Sequence, residues 1–304
     1  MKLIISLAII SGLLLALFLW LRPVVGEMGT PTPPDVSGRA SSPVPDGTMG
    51  VVPVGASGTA TLGPARPRPS AAEVVNAGIT PADDIGQAIL GLVNERRAKA
   101  KLGALQPEAT LQRTAQEHSD DMFVRGFFAH DDPDGWSPAD RIAAAHRRLI
   151  GLTGENIWMG VNLDLADRRK LAKEIVDDWM KSSGHRENIL SKDYTHLGVG
   201  VAVKGREVRA TQNFAAIHAL TDQPVPPQVS SGEGLNLAAS PASSGAKPER
   251  FEFFSPDKGT AVGGSRAIAG ATAKDVPSGV YKLRFLFPQP GGYVIYGGPR
   301  IEVR

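Results

Sequence analysis

Apolar positions recur at two different periods along this chain, and the change of period marks its organisation. Thr80-Pro81 reads as a helix N-cap with proline at the first helical position, followed by Asp83 and Asp84 at the positive end. Ile85, Ile89, Leu92 and Val93 then repeat at helical spacing until Gly103. A second helix is predicted after Pro107, with Leu111, Ala115, His118 and Met122 on one face. Ser137-Pro138 starts a third by the same cap logic. Asp164 is the expected cap of a fourth, whose stripe is Leu171, Ile175 and Trp179. From Leu197 the period drops to two. Leu197, Val199, Val201 and Val203 alternate with small residues, Lys204-Gly205-Arg206 turns the chain, and Val208, Ala210, Gln212 and Phe214 alternate on the return. Residues 80–217 therefore predict a mixed domain of helices and an antiparallel hairpin, large enough for its own core.

Proline divides the remainder. Of 24 prolines, eleven fall in 23–81, three in 82–217 and ten in 218–304, so the middle stretch is the one able to hold long helices. Residues 23–79 are rich in Pro, Gly, Ser and Ala and are expected to be a flexible linker. Residues 218–248 read as a second linker. In 249–304, Phe251 to Phe253, Tyr281 to Phe285 and Tyr293 to Tyr296 alternate as strands, punctuated by Pro277-Ser278-Gly279 and Pro288 to Gly292. This predicts a small all-β unit, marginal in size by itself. Ahead of everything, Met1-Lys2 precedes an uncharged, mostly apolar run from Leu3 to Leu21. Such a run in 1–22 suits a transmembrane anchor, or a signal segment cleaved after Val24-Val25-Gly26. Either outcome places the rest of the chain outside the cytoplasm, attached to the membrane or secreted.

Charge and composition narrow the chemistry. With 33 Lys+Arg against 31 Asp+Glu and no basic arm, a nucleic-acid partner is not expected. The absence of cysteine excludes disulfides, thiolate metal sites and a thiol nucleophile. All six histidines lie between His118 and His218, which confines imidazole chemistry to the middle domain. Four polar clusters stand out there. Phe128-Ala129-His130 leads into the aspartate-rich turn Asp131 to Gly135. Gly154-Glu155-Asn156 is expected in a short loop before Ile157-Trp158. Ser182-Ser183-Gly184-His185-Arg186-Glu187-Asn188-Ile189-Leu190 follows Trp179 at the end of the fourth helix. Gln212-Asn213-Phe214 lies on the last strand. Taken singly, each also reads as an ordinary capped or hydrogen-bonded turn. His118, on an apolar helical face, reads as core.

The order of these clusters carries more. Phe-x-His, Gly-Glu-Asn, Trp-x-x-Ser-x-Gly-His-Arg-x-Asn-Ile-Leu, Gly-Val-Gly and Gln-Asn-Phe together resemble the CAP superfamily, or SCP domain, over roughly residues 83–217. The cysteine-free sequence and the His185 to Leu190 run look most like its bacterial extracytoplasmic branch. The resemblance implies an α+β fold, a three-layer α–β–α sandwich, here with a small C-terminal all-β unit. It also implies a cleft in which two histidines and two acids converge. By motif position these fall on His130, Glu155 and His185, while the second acid is replaced by Ser182; Asn188 lines the same cleft. Two imidazoles and one carboxylate suit zinc or a similar divalent metal, with His130 and His185 as ligands. Glu155 is then either the base of a metal-dependent hydrolase acting on peptide, cell-wall or ester substrates, or a carboxylate that only orients a histidine. A non-enzymatic module binding an extracellular lipid, glycan or protein is the favoured expectation. A structural surface-display protein, in which the cleft residues merely tie loops together, is the remaining one.

Overall fold

The structure is a computed structural model and describes residues 68–304 except 243 and 244. The expected anchor or signal over 1–22 and most of the linker over 23–79 lie outside the described residues. In chain order the helices are α1 (Ala71–Asn76), α2 (Asp83–Lys99), α3 (Ala109–Val124), α4 (Pro138–Ala145), α5 (Arg168–Lys181) and α6 (Ser183–Leu190). The strands are β1 (Thr80–Pro81), β2 (Gln106–Pro107), β3 (Leu149–Gly160), β4 (His196–Lys204), β5 (Glu207–Thr221), β6 (Gln228–Val229), β7 (Ala239–Pro241), β8 (Arg250–Ser255), β9 (Thr260–Ala267), β10 (Gly279–Gln289) and β11 (Gly292–Val303). Among the described residues no helix is long and apolar enough to cross a membrane.

Several local expectations are corrected. Residues 71–76, assigned to the linker, form a helix because Ser70 and Glu73 make a reciprocal capping box. Its Val74 and the following Ala77 pack beside Ile79 and Phe123. Thr80-Pro81 is not a helix cap. It pairs with Val203 and Ala202 of β4, and α2 starts at Asp83 without a side-chain cap. Proline fits there because this edge residue needs no N–H for the ladder. The cap of α5 is Asp167, which accepts from Lys170 N–H at 2.9 Å; Asp164 instead closes a turn onto Ala166 N–H. Ser137 caps α4 as expected, with Asp140 completing the box.

The middle domain is a three-layer arrangement. β3, β5 and β4 run antiparallel side by side, with β1 at the outer edge of β4. Helices α2, α5 and α6 cover one face. Ile85, Ile89, Leu171, Ile175, Trp179 and Ile189 meet Val199, Val201, Phe214 and Ala216 there. Helix α3 covers the other, and the Gly-Val-Gly motif explains how closely. A Cβ on Gly198 would stand 2.0 Å from Gln112 N, and one on Gly200 would stand 2.0 Å from Gln116 N. The two glycines let the backbone of α3 lie directly on β4.

The C-terminal strands extend this sheet. The order is β1-β4-β5-β3-β11-β10-β8-β9, with β11 joined to β3 by one antiparallel pair, Gly297 to Gly151. Phe251, Phe253, Leu283, Phe285 and Phe287 form their core, together with Ile150 and Ala219 of β3 and β5. Residues 218–248, expected to be a linker, contribute Val225, Val229, Leu235 and Leu237 to that same core, all of them buried. A Pro-rich composition concealed four apolar anchors spaced too irregularly to give a period. All described residues fall in one compact unit, Asp46–Arg304.

Candidate functional site

Gly154-Glu155-Asn156 is not a loop. It lies in the middle of β3, where Glu155 pairs with Asn213 and Asn156 with Gln212 of β5. Successive strand residues point to opposite faces, so Glu155 and Asn156 serve two different clusters. Buried polar residues broke the apolar alternation and hid the strand.

Glu155 is 1% exposed and faces α3 and α4. Its Oε1 accepts from His130 Nδ1 at 2.9 Å. Its Oε2 accepts from Arg141 of α4 at 2.6 Å. With its amide turned to satisfy both ends, Asn213 also donates to Oε2 at 3.2 Å and accepts from Ala115 N–H at 3.1 Å. His118, 0% exposed on α3, sits with Nε2 3.9 Å from Oε1 while donating to the Ala129 carbonyl at 3.0 Å. Arg141 also donates to the carbonyls of His130 and Trp136, which fixes the loop carrying the histidine. Burial opposes ionisation of Glu155, but Arg141, His118 and His130 outweigh it and hold the carboxyl down at about 2. Nearby, burial pushes the Asp131 carboxyl up against the pull of Arg141 and His130.

Asn156 organises the opposite face. Its Nδ2 donates to the His185 carbonyl at 3.1 Å and to Gln212 Oε1 at 3.0 Å. Its Oδ1 accepts from Asn188 Nδ2 at 2.9 Å, and Asn188 also donates to the Glu155 carbonyl at 3.2 Å. These bonds seat α6 on β3 and thereby place His185. Ser182 ends α5 and precedes α6, and makes no side-chain cap to α6.

The aspartate-rich turn has its own anchor. Arg125 binds both oxygens of Asp121 and reaches Asp134, while Asp132 accepts from the N–H groups of Asp134 and Trp136. The turn therefore presents His130 from a rigid base.

Of the predicted site residues, His130 and Glu155 are in direct contact. Asn188 reaches Glu155 only through its main chain. Arg141 was not among the predicted site residues; His118 is buried on α3 as its apolar face implied, and stands in addition beside Glu155. The signal for Arg141 was an arginine beside Pro138 and Ile142 on the face that α4 buries. Three-ligand metal binding through Glu155 does not fit, since both oxygens are committed to Arg141, His130 and Asn213. Among the described residues, no three His, Asp or Glu side chains stand close enough to hold a metal ion.

Comparison with known proteins agrees on the domain. Residues 90–214 match the family "CAP: Cysteine-rich secretory protein family". The uncharacterized protein YkwD of Bacillus subtilis (strain 168) is 36% identical over 121 residues, covering 38% of this chain and 42% of that protein. The uncharacterized membrane protein YlbC of the same organism is 36% identical over 126 residues, covering 41% of this chain and 33% of that one. The chain thus spans less than half the length of these curated relatives. A solved extracellular protein containing an SCP domain, from Bacillus anthracis str. Ames, is 31% identical, with 44% of this chain and 40% of that chain covered and a TM-score of 0.37. The domain over residues 90–214 belongs to the CAP family and resembles its bacterial members.

Proposed function

We propose that this chain is an extracytoplasmic CAP-domain protein that binds or interacts through its His130 cleft without catalysing hydrolysis. One observation carries the reading. Glu155 is the carboxylate a hydrolase would use as base, and it is buried, doubly hydrogen-bonded and held at about 2. A carboxylate this weakly basic is poorly matched to taking a proton from water near neutral pH. Its geometry suits another task. By accepting from His130 Nδ1, it fixes the tautomer and leaves Nε2 as the acceptor, with the side chain 23% exposed. His130 is thus presented to a ligand group that donates a hydrogen bond, or to a divalent metal.

For zinc or a similar metal, His130 and His185 are the proposed ligands, with Glu155 orienting His130 from behind. No hydrolytic step is derived from such a pair. The relative named as a membrane protein, together with the apolar run over 1–22, supports attachment of this chain at a membrane surface. The ligand is an extracellular lipid, glycan or protein in this reading. A structural role is the second reading, favoured by how many loops the Glu155 and Asn156 networks tie together.

Turnover assays on the full chain, with cell-wall peptides and nitrophenyl esters, test the first statement. The expected result is no cleavage above buffer. Chelator-sensitive cleavage that disappears in Glu155→Gln would overturn it. Calorimetric titration with zinc tests the second: binding should be lost in both His130→Ala and His185→Ala, and binding that survives either substitution removes the proposed pair.

A further inference from the structure

An unpaired strand edge is a template for any extended chain, and natural sheets protect such edges with prolines, charges, bulges or covering groups. Most open margins of this sheet are blunted in one of these ways. β1 is two residues long and ends in Pro81. β9 is broken by Gly263 and Gly264, both left-handed at φ 70° and 68°, and it carries Arg266. In β3, side chains of α5 and α6 take two main-chain carbonyls. Trp179 Nε1 donates to that of Ile157 at 3.0 Å, and Asn188 Nδ2 to that of Glu155 at 3.2 Å.

β11 differs. Along one side it pairs with β10. Along the other it meets β3 only at Gly297 and β6 only at Glu302 and Val303. Among the described residues, Gly292 to Tyr296 face no strand on that side. Their sequence is Gly-Tyr-Val-Ile-Tyr, uncharged, free of proline and made of strong strand formers after the glycine. Val294 and Tyr296 stand opposite Phe287 and Phe285 and turn into the core. Tyr293 and Ile295 therefore point to the other face, where they are 42% and 43% exposed.

This edge is complementary to itself. Val294 is the midpoint of the open stretch. Two copies lying antiparallel about a two-fold axis at Val294 set Tyr293 of each opposite Ile295 of the other, on one face. An aromatic and a β-branched side chain make a favourable cross-strand pair, and here the pair occurs twice. Centring on Tyr293 would set Ile295 against Gly291. Centring on Ile295 would set Tyr293 against Gly297, which is already joined to β3. No charge meets its own copy across the axis, and a two-fold contact closes at the dimer.

We propose that residues 292–296 of β11 are a dimerisation edge, to which a second copy of this chain adds its own β11 antiparallel and in register about Val294. The edge lies outside residues 90–214, so it belongs to the C-terminal strands and not to the CAP domain. So short a contact is small beside the roughly 20–30 residues a side of a standard interface, which makes the dimer a readily exchanging one.

The chain has no cysteine, so single introduced thiols report the register. Opposite residues of an antiparallel pair stand about 4.5–5.5 Å apart, within disulfide reach, and diagonal ones about 7–8 Å apart, beyond it. Full-length Tyr293→Cys and Ile295→Cys, mixed in detergent micelles and oxidised, should give on the order of tenfold more disulfide-linked dimer than either variant alone. Tyr293→Cys mixed with Val161→Cys, at another exposed position, should give no such gain. Equal yields in the two mixtures, or no gain over the single variants, overturn the proposal. Sedimentation of the full chain in the same micelles is the second measurement. Its average mass should rise with concentration, and Ile295→Lys, which puts a charge on the edge, should abolish the rise. A rise that survives Ile295→Lys places the association elsewhere and overturns the β11 edge, and a mass independent of concentration does the same.

Discussion

Glu155 is a buried carboxylate held ionised by Arg141, His118 and His130. Because its folded value is held below the ordinary 4.5, the stability it contributes is present in full above about pH 5 and is lost as the pH falls toward about 2. A depression of this size corresponds to about 3 kcal/mol. Glu155→Gln should therefore lower unfolding free energy at neutral pH by about 3–5 kcal/mol, since it leaves Arg141 buried beside a neutral amide. Urea unfolding of both proteins between pH 7 and pH 2 checks this (about five pH points suffice). The gap should narrow as the wild-type carboxyl protonates. A gap constant with pH would mean that Glu155 is not the ionised partner of Arg141. At this scale His130 and Glu155 stood out through their motifs. Arg141, and the nearness of the buried His118 to Glu155, stayed hidden for a physical reason. A buried ion pair is recognised by who stands opposite, and a period on one helix cannot name a partner on another.

The elements meet through contacts that tolerate no extra atom. Gly200→Ala would drive a methyl group to 2.0 Å from the α3 backbone at Gln116, which cannot swing aside as a side chain could. The expected cost is about 2–3 kcal/mol or more, because α3 must lift from β4. Thermal denaturation measures it, and a neutral Gly200→Ala would show that the helix does not rest on the strand. On the other face, Asn188→Ala removes the donor that reaches Asn156 and the Glu155 carbonyl, at about 1–3 kcal/mol. Amide exchange should then rise in α6 while α3 keeps its protection; uniform change would argue against a local role. Helices α2 to α5 and the hairpin of β4 and β5 were legible, because each turns a regular apolar stripe to one face of the sheet or the other. β3 and α6 were not. β3 carries Glu155 and Asn156 where alternation demands apolar residues, and α6 is held by amide bonds in place of a stripe. In β3 the same side chains that build the site, Glu155 and Asn156, spoil the pattern.

On the scale of the whole chain, composition misled most. Proline and serine suggested a tether between two bodies over 218–248, yet the segment fills a core shared by both. Ile150 belongs to the middle domain by sequence and to the C-terminal core by packing, and Ala219, assigned to the linker, ends β5 and packs in the same core. Lys282 reaches from β10 to Asp140 in the first turn of α4, the helix whose next residue, Arg141, holds Glu155. Attraction by Lys282 and the cap of Ser137 overcome the burial of Asp140 and keep it ionised. Lys282→Met should therefore be felt across the seam, leaving a buried carboxylate unpaired at a cost of about 3–5 kcal/mol. The sign of its pH dependence follows from the depressed Asp140. The loss is largest above the ordinary carboxylate range and shrinks in acid as Asp140 takes a proton. Two bodies joined by a tether would unfold in two steps, with the variant shifting only one. A single body should unfold in one transition, seen together by far-ultraviolet dichroism, which weighs the strands, and by tryptophan emission, whose described sources Trp136, Trp158 and Trp179 all lie in the CAP portion. Coincident curves that move together in Lys282→Met are the expected result. Separation of the two signals would restore the boundary at 217 and make the C-terminal strands a domain of their own.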